Sequence, residues 1–403
     1  HLLYSQKFFK QNFGFTVRTS YNVDSFGHNG MLPQLLKKAG IDNYIYQRPD
    51  NRLEKPNLPS DDLHLWQSPD GSVINAFHLP DGYGGDVHKE RLDEHYYNKN
   101  QPMMVFFGVG NHGGGPSKEH LKNAEKLILE GNFRYSTPDE YFEETADVEK
   151  PLVNEDLQHH ASGCYSANSE IKALNRRAET ELVTAEKLDV LANLITGSPL
   201  HREGIENAWE RVMFNQFHDI LAGCSIKEAY TDAKGAFGYA REAALGINTF
   251  AAQRISWRIK TTDFLNADAS EMRNRMWYRK GEGSPMVVFN PHSFPVKSIG
   301  QFGDQGVSKV LDADGNEITL QQVRAPYTDG DHIQKTIFEA EVPAFGYSVY
   351  YLYHYNENDA RTYETDLIAT EKTLENSKVK IVFDEATGAI TSYKLKDSGV
   401  EFA

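Results

Sequence analysis

The sequence predicts a multidomain chain whose texture runs from α/β, through all-helical, to β, and three observations carry that reading. Short apolar runs alternate with helical stretches from 15 to 142. Long helical periodicity replaces strands from about 165 to 250, and short alternating runs divided by turn residues follow from about 285. At 403 residues the chain exceeds one ordinary core, so two or three domains are expected.

Each region is justified by its own residues. The opening Leu3, Tyr4, Phe8 and Phe9 have the spacing of a helix already under way. In the α/β region FTVRTS, DNYIYQ, GSVINAFHL, MMVFFGVG and NFRYS read as strands. They alternate with a helix over MLPQLLKKAG, closed by Gly40, and one over SKEHLKNAEKLILEG, opened by Ser117 and closed by Gly131. Such βα architectures gather their chemistry where strands end and loops begin, which is where Asp24 and the 108–116 loop lie. In EIKALNRRAETELVTAEKLDVLANLI, Ile171, Leu174, Ala178, Leu182, Ala185, Leu188, Ala192 and Ile195 recur every three or four residues, the stripe of a bundled helix. SPMVVFNPHSFPV, SKVLDADGNEITLQQV, TIFEAEVPAFGYSVYYLYH and SKVKIVFDEATGAITSYKLK, broken by DADGNE and DEATG turns, predict antiparallel sheet.

Composition narrows the partners. Lys and Arg number 42 against 57 Asp and Glu, a formal net charge of −15, which disfavours nucleic acid. Cys164 and Cys224 are too few for a disulfide framework and suit reduced thiols in a cytoplasmic protein. No run approaches the roughly 18 apolar residues of a membrane span, and HLLYSQKFFKQ lacks a signal-peptide cleavage region, so no membrane partner is expected.

Four stretches could carry chemistry. In YNVDSFGHNG, Asp24 follows a strand and precedes a helix, a place where an aspartate is often only a turn or cap residue. Phe26, Gly27 and His28 beside it add an aromatic wall, a tight backbone and a second polar group, so its carboxylate could serve as nucleophile or metal ligand. GVGNHGGGP, 108–116, matches G-x-G-x-x-G through Gly108, Gly110 and Gly113, the pattern of a dinucleotide loop. Asn111 and His112 within it instead suit hydrogen bonding to a polyol. VNEDLQHHASGCYSA packs Glu155, Asp156, His159 and His160 at a domain junction, either a solvated linker or a cleft edge where an acid gains a proton donor's pKa. Read as one helix, AWERVMFNQFHDILAGCS buries Ile205, Ala208, Trp209, Val212, Met213, Gln216 and Ile220 and sets His218 opposite that stripe. Asp219 is then placed to orient the imidazole.

In this order DSFGH, GNHGGGPS, EDLQHHASGCYSA followed by LNRRAE, and FNQFHDILAGCS resemble the motifs of family 38 glycoside hydrolases, the zinc-dependent retaining α-mannosidases, in their bacterial branch. The resemblance implies Asp24 as nucleophile and zinc ligand, His218 as a further ligand of one Zn2+ per chain, and Asp156 as acid/base, with the adjacent Glu155 left open. It implies Phe26, His28, Asn111, His112, Tyr165 and Asp219 around the sugar, with His28 and His112 as distant metal candidates. It also implies a partial (β/α)7 barrel over 1–150, a three-helix bundle over 151–265 and the start of a β-sandwich over 266–403. Retention needs two carboxyl groups about 5–5.5 Å apart, and an open zinc position can grip sugar hydroxyls.

The expected partner is a mannose-containing oligosaccharide or glycoside, cleaved from its end, with α-1,3 or α-1,6 linkages preferred. Mannosylglycerate is the alternative within the family, disfavoured because no basic cluster is evident near the motifs. A nucleotide-dependent oxidoreductase and an inactive carbohydrate-binding relative are the rivals of other classes, and a homodimer is left open. The family's early His-x-Asp pair would lie upstream of His1, so the chain is expected to be a piece of something longer, holding half the metal site and binding zinc poorly by itself.

Overall fold

The computed structural model describes residues 1–49, 62–96, 101–110, 113–131, 133–158, 161–261, 283–302, 307–324, 334–354 and 365–402. They fall into two compact units, His1–Arg254 and Ile255–Ala403. Among the described residues no helix is long and apolar enough to cross a membrane.

The first unit opens on α1 (Leu2–Phe13) and is built on a five-stranded sheet. Its strands are β1 (Thr19–Asn22), β2 (Asn43–Tyr46), β3 (Leu63–Gln67), β4 (Val73–His78) and β5 (Leu152–Val153), in the order β1-β2-β4-β3-β5. β1, β2 and β4 run parallel, while β3 is antiparallel to β4 and parallel to β5. All four residues of β2 are buried, as befits an inner strand covered on both faces. Between β1 and β2, α2 (Leu32–Lys38) lays Leu36 into a cluster with Tyr44, Trp66, Ile74 and Ala76. Three further helices follow, α3 (Lys89–His95), α4 (Lys118–Leu129) and α5 (Pro138–Glu144). Ser117 caps α4 by accepting from the His120 amide, and Thr137 with Glu140 forms a capping box on α5.

The sheet departs from the sequence reading at five places. Its first strand covers 19–22 rather than 15–20, and the sequence reading contains neither β3 nor β5. Residues 103–107 and 133–136 form no strand among the described residues. In the first of these the period-two alternation is nonetheless real: Met104 and Phe106 pack with Phe77 and Tyr141, whereas Val105 and Phe107 pack with Leu92 and Leu127. Alternation reports two buried faces, and ladder pairing is a separate condition.

The helical part of this unit starts with a 3₁₀ turn at Ser162–Tyr165 and α6 (Ser169–Thr196). There follow α7 (Arg202–Asn215), α8 (His218–Ala222) and α9 (Lys227–Ser256). Ile171, Ala178, Leu182 and Ala185 of α6 share one core with Ala208 and Val212 of α7, Ile220 of α8, and Phe237 and Ala240 of α9. Ile195, expected in the stripe, is exposed, while Asn175 and Asp189 are buried on it. The stretch 208–225 is not one helix: α7 ends at Asn215, and Phe217, with ψ 139, turns the chain before α8 begins.

Among the described residues the strands of the second unit pair antiparallel. One sheet orders β10 (Leu320–Arg324), β11 (Gln334–Val342) and β7 (Val296–Phe302), and another orders β6 (Gly283–Asn290), β12 (Gly346–His354), β8 (Val307–Leu311) and β9 (Glu317–Ile318). Phe338 and Ala340 of β11 share a core with Val310 of β8 and Tyr350 and Leu352 of β12, so the two sheets face one another. A third sheet runs through residues 368–402.

Candidate active site

Parallel β1, β2 and β4 deliver their C-terminal ends to one edge of the sheet, and the loops leaving those ends converge. Val23 is buried with Ile45 and Phe77, which anchors the backbone of Asp24 immediately after it. Tyr83, beyond the end of β4, donates from its hydroxyl to Asp24 Oδ2 at 2.7 Å. Arg48, beyond the end of β2, holds a guanidinium nitrogen 3.6 Å from Asp24 Oδ1. One partner on each carboxylate oxygen fixes the plane of the group. The bond to Asp24 raises the Tyr83 pKa, burial adding to the effect.

His28 has a different task from the one expected of it. It is buried, with Nε2 2.7 Å from the Arg48 carbonyl and Nδ1 2.8 Å from the Tyr44 hydroxyl. The carbonyl can only accept, so Nε2 carries the proton and Nδ1 accepts from Tyr44. Burial lowers its pKa to about 4. With both ring nitrogens engaged, His28 holds the loop instead of offering a lone pair to a sugar or a metal.

The main chain of His28 also ties this loop to the junction stretch. Its amide donates to the Leu157 carbonyl and its carbonyl accepts from the Leu157 amide, each at 2.9 Å. Gly27 has φ +129, and a Cβ there would sit 2.9 Å from both Gln158 Cα and the Leu157 carbonyl oxygen, so only glycine permits the approach. A Cβ at Gly30 would lie 3.5 Å from the Asp156 Cβ. The loop bearing Asp24 and the segment bearing Asp156 are thus adjacent backbones. Asp156 is exposed and accepts from the Gln158 amide, whereas Glu155 turns its carbonyl to the Trp66 indole at 3.0 Å. Tyr165 is 52% exposed and donates to the Gln158 carbonyl at 3.3 Å.

From the helical side, α8 brings His218 to this loop. Its ring centroid lies 6.4 Å from that of Phe26, its side chain is 28% exposed, and Nε2 is 3.8 Å from Asp219 Oδ2. Asp219 Oδ1 accepts from the Cys224 thiol at 3.4 Å, and burial together with that bond raises the Cys224 pKa.

The glycine stretch is joined to the loop that carries Tyr83. Gly85 and Gly108 exchange backbone bonds of 2.7 and 2.9 Å, and Gly110 bridges to Gly114. The helix that follows starts only at Lys118, so Gly108–Gly113 does not form the strand-to-helix turn that a pyrophosphate loop requires. Asn111, His112, His159 and His160 lie outside the described residues.

Sequence reasoning missed Tyr83 and Arg48. Their signal was available: both follow apolar strand runs, Tyr83 within Asp81-Gly82-Tyr83-Gly84-Gly85, where glycines let a side chain approach closely. For a metal, Asp24 and His218 supply an oxygen and a nitrogen donor of the types zinc takes. Among the described residues no group of three or more His, Cys, Asp or Glu side chains could hold an ion.

Comparison with known proteins gives a consistent result. Residues 1–162 match the glycosyl hydrolases family 38 N-terminal domain, and residues 158–255 match the α-mannosidase middle domain. The chain is 30% identical to α-mannosidase G of Dictyostelium discoideum over 243 residues, 57% of this chain and 22% of that protein. It is 25% identical to an α-mannosidase of Saccharomyces cerevisiae over 322 residues, 71% of this chain and 28% of that protein. The crystal structure of an α-mannosidase from Enterococcus faecalis V583 superposes with a TM-score of 0.70 at 18% identity, over 98% of this chain and 49% of that one. The chain therefore spans about a quarter of the length of these curated relatives and about half of that solved chain.

Proposed function

Because the chain belongs to glycosyl hydrolase family 38, we propose that it forms part of a retaining, exo-acting, zinc-dependent α-mannosidase, with Asp24 as nucleophile and Asp156 as acid/base. One observation carries the reading. The His28–Leu157 bridge holds the loop bearing Asp24 against the segment bearing Asp156, so the two carboxyl groups that retention needs come from neighbouring backbones. Asp156 is preferred to Glu155 because its Cβ lies against Gly30 in the Asp24 loop.

In this reading Tyr83 and Arg48 aim the Asp24 carboxylate at the anomeric carbon. Asp156 protonates the departing glycosidic oxygen, then takes a proton from the water that releases the sugar. Phe26 offers an apolar wall to the sugar's C–H face. Asp24 and His218 would be the zinc donors from this chain, and the ion when bound would supply Lewis-acid polarisation of the sugar hydroxyls.

The finer architecture belongs to the same proposal: a (β/α)7 barrel over 1–150, a three-helix bundle over 151–265 and a β-sandwich from 266. Parallel β1, β2 and β4 and the shared core of α6, α7 and α9 support it. A cytoplasmic location rests on two free cysteines. Arg48 is a cation at the site, but its guanidinium faces Asp24, so neutral α-1,3 or α-1,6 mannosides are preferred over mannosylglycerate.

Hydrolysis of an aryl α-mannoside with and without chelator, beside Asp156→Ala, tests the proposal. Asp156→Ala should spare activated aryl substrates far more than natural mannosides, since a good leaving group needs little protonation. Activity indifferent to metal removal, or that leaving-group pattern in Glu155→Ala instead, overturns the corresponding part. Product analysis on α-1,2, α-1,3 and α-1,6 mannobiosides beside mannosylglycerate decides the substrate.

A further inference from the structure

We infer that a polar row on α6, formed by Lys172, Asn175 and Glu179, is the template that sets where His218 stands, which makes these three positioning residues of the proposed active site. Its catalytic consequence rests on the mannosidase reading. The placement of His218 can be read without it.

His218 sits at the start of α8, a helix of five residues with no side-chain N-cap bond. A helix that short cannot hold its own conformation in water, so its position has to be imposed from outside. The backbone bonds of α7 reach only as far as Phe217, whose amide donates to the Phe214 carbonyl at 3.3 Å, and its ψ of 139 breaks the helical path before His218.

The row on α6 grips the segment on both sides of the histidine. Before it, the Gln216 side-chain amide donates to Asn175 Oδ1 at 2.9 Å and to Glu179 Oε1 at 2.8 Å. Asn175 in turn donates to Glu179 Oε1 at 3.2 Å, which fixes the acceptors relative to one another. After it, Lys172 Nζ donates to the Leu221 carbonyl at 2.9 Å and also to the Ala167 carbonyl. The spacing i, i+3, i+7 puts all three side chains on one face of α6.

A second contact closes the grip. Gly223 has φ +89, and a Cβ there would meet the Ala167 carbonyl oxygen at 2.6 Å, so α8 ends flush against the carbonyl that Lys172 holds. Asn175 occupies a buried position in a stripe whose other buried members, Asp189 apart, are apolar. A buried amide is costly unless its partners are met, and here both of its polar atoms are used. The row therefore supplies register where apolar packing alone would let α8 slide.

Asn175→Leu, Gln216→Leu, Lys172→Met and Lys172→Arg in the full chain test this, with Leu188→Ala as a control that destabilises the far end of α6. The first readout is the imidazole 15N–1H NMR spectrum, assigned with His218→Gln. The parent should give one set of His218 signals. Asn175→Leu, Gln216→Leu and Lys172→Met should shift or split that set, while Lys172→Arg restores it and Leu188→Ala leaves it unmoved. The second readout is aryl mannoside turnover, where the same three variants should lose tenfold or more in kcat with KM changed less than twofold. Unmoved His218 signals in the three variants, or an equal kcat loss in Leu188→Ala at matched loss of Tm, overturns the inference. With turnover measured in the complete protein, an inactive parent whose His218 signals respond as described would instead overturn the mannosidase reading and leave the positioning role standing.

Discussion

Acid should destabilise the first unit through two buried histidines, and the size of the effect follows from their surroundings. His28 donates to the Arg48 carbonyl and accepts from Tyr44. His64 lies 3.3 Å from the Asp62 carbonyl at Nδ1 and 3.2 Å from the Tyr46 hydroxyl at Nε2. Burial lowers both pKa values to about 4, with His78 pushing each further down and Asp62 pushing His64 partly back up. In the unfolded chain each would titrate near its ordinary value of about 6.5. Above that pH both states are neutral and nothing is lost. As pH falls below it the unfolded state binds the proton first, so stability drops until the folded pKa is reached. Over the roughly 1.5 pH units down to pH 5, at about 1.4 kcal/mol per unit, each histidine costs about 2 kcal/mol. A pair would remove about 4 kcal/mol, a large share of the roughly 5–15 kcal/mol that holds a domain together. Urea unfolding at pH 7.5 and pH 5.0, followed by tryptophan fluorescence, should show the parent losing about 2 kcal/mol more than His64→Gln across that interval. Equal losses in the two proteins would refute the linkage, as would a parent that grows more stable on acidification.

Three substitutions probe the carboxylate loop more directly. Gly27→Ala forces a side chain into φ +129 and to within 2.9 Å of the Gln158 backbone, so it should cost about 2–5 kcal/mol in thermal unfolding. A variant as stable as the parent would show that the two segments are not locked. Tyr83→Phe removes the 2.7 Å bond to Asp24, worth about 1.5–3 kcal/mol for a charged acceptor, and should lower kcat roughly tenfold or more with KM little changed. An unaltered kcat would remove Tyr83 from the site. Asp24→Ala should abolish turnover on activated and natural substrates alike, and any aryl mannosidase activity above one thousandth of the parent's argues for another nucleophile.

Which residues were legible in the sequence depended on the range of the interaction that places them. Asp24 stands out because strand end, aromatic, glycine and histidine all fall within five residues, and the structure adds to that the backbone bridge to Leu157 and the contacts from Tyr83 and Arg48. Tyr83 and Arg48 were not visible, since their meeting on Asp24 comes from three parallel strands aligning their ends, a property of the sheet and of no single stretch. MMVFF shows its two buried faces truthfully and so reads as a strand, because period two cannot tell an extended segment from a paired one. His218 is the sharpest case. Periodicity set it opposite a buried stripe by assuming one unbroken helix, yet the chain turns at Phe217, and the side chain that fixes the turn, Gln216, is held by Asn175, 41 residues earlier. Local pattern could propose the histidine but not its direction. The information that aims it lies in a buried asparagine on another helix, whose polarity a window centred on residue 218 never samples.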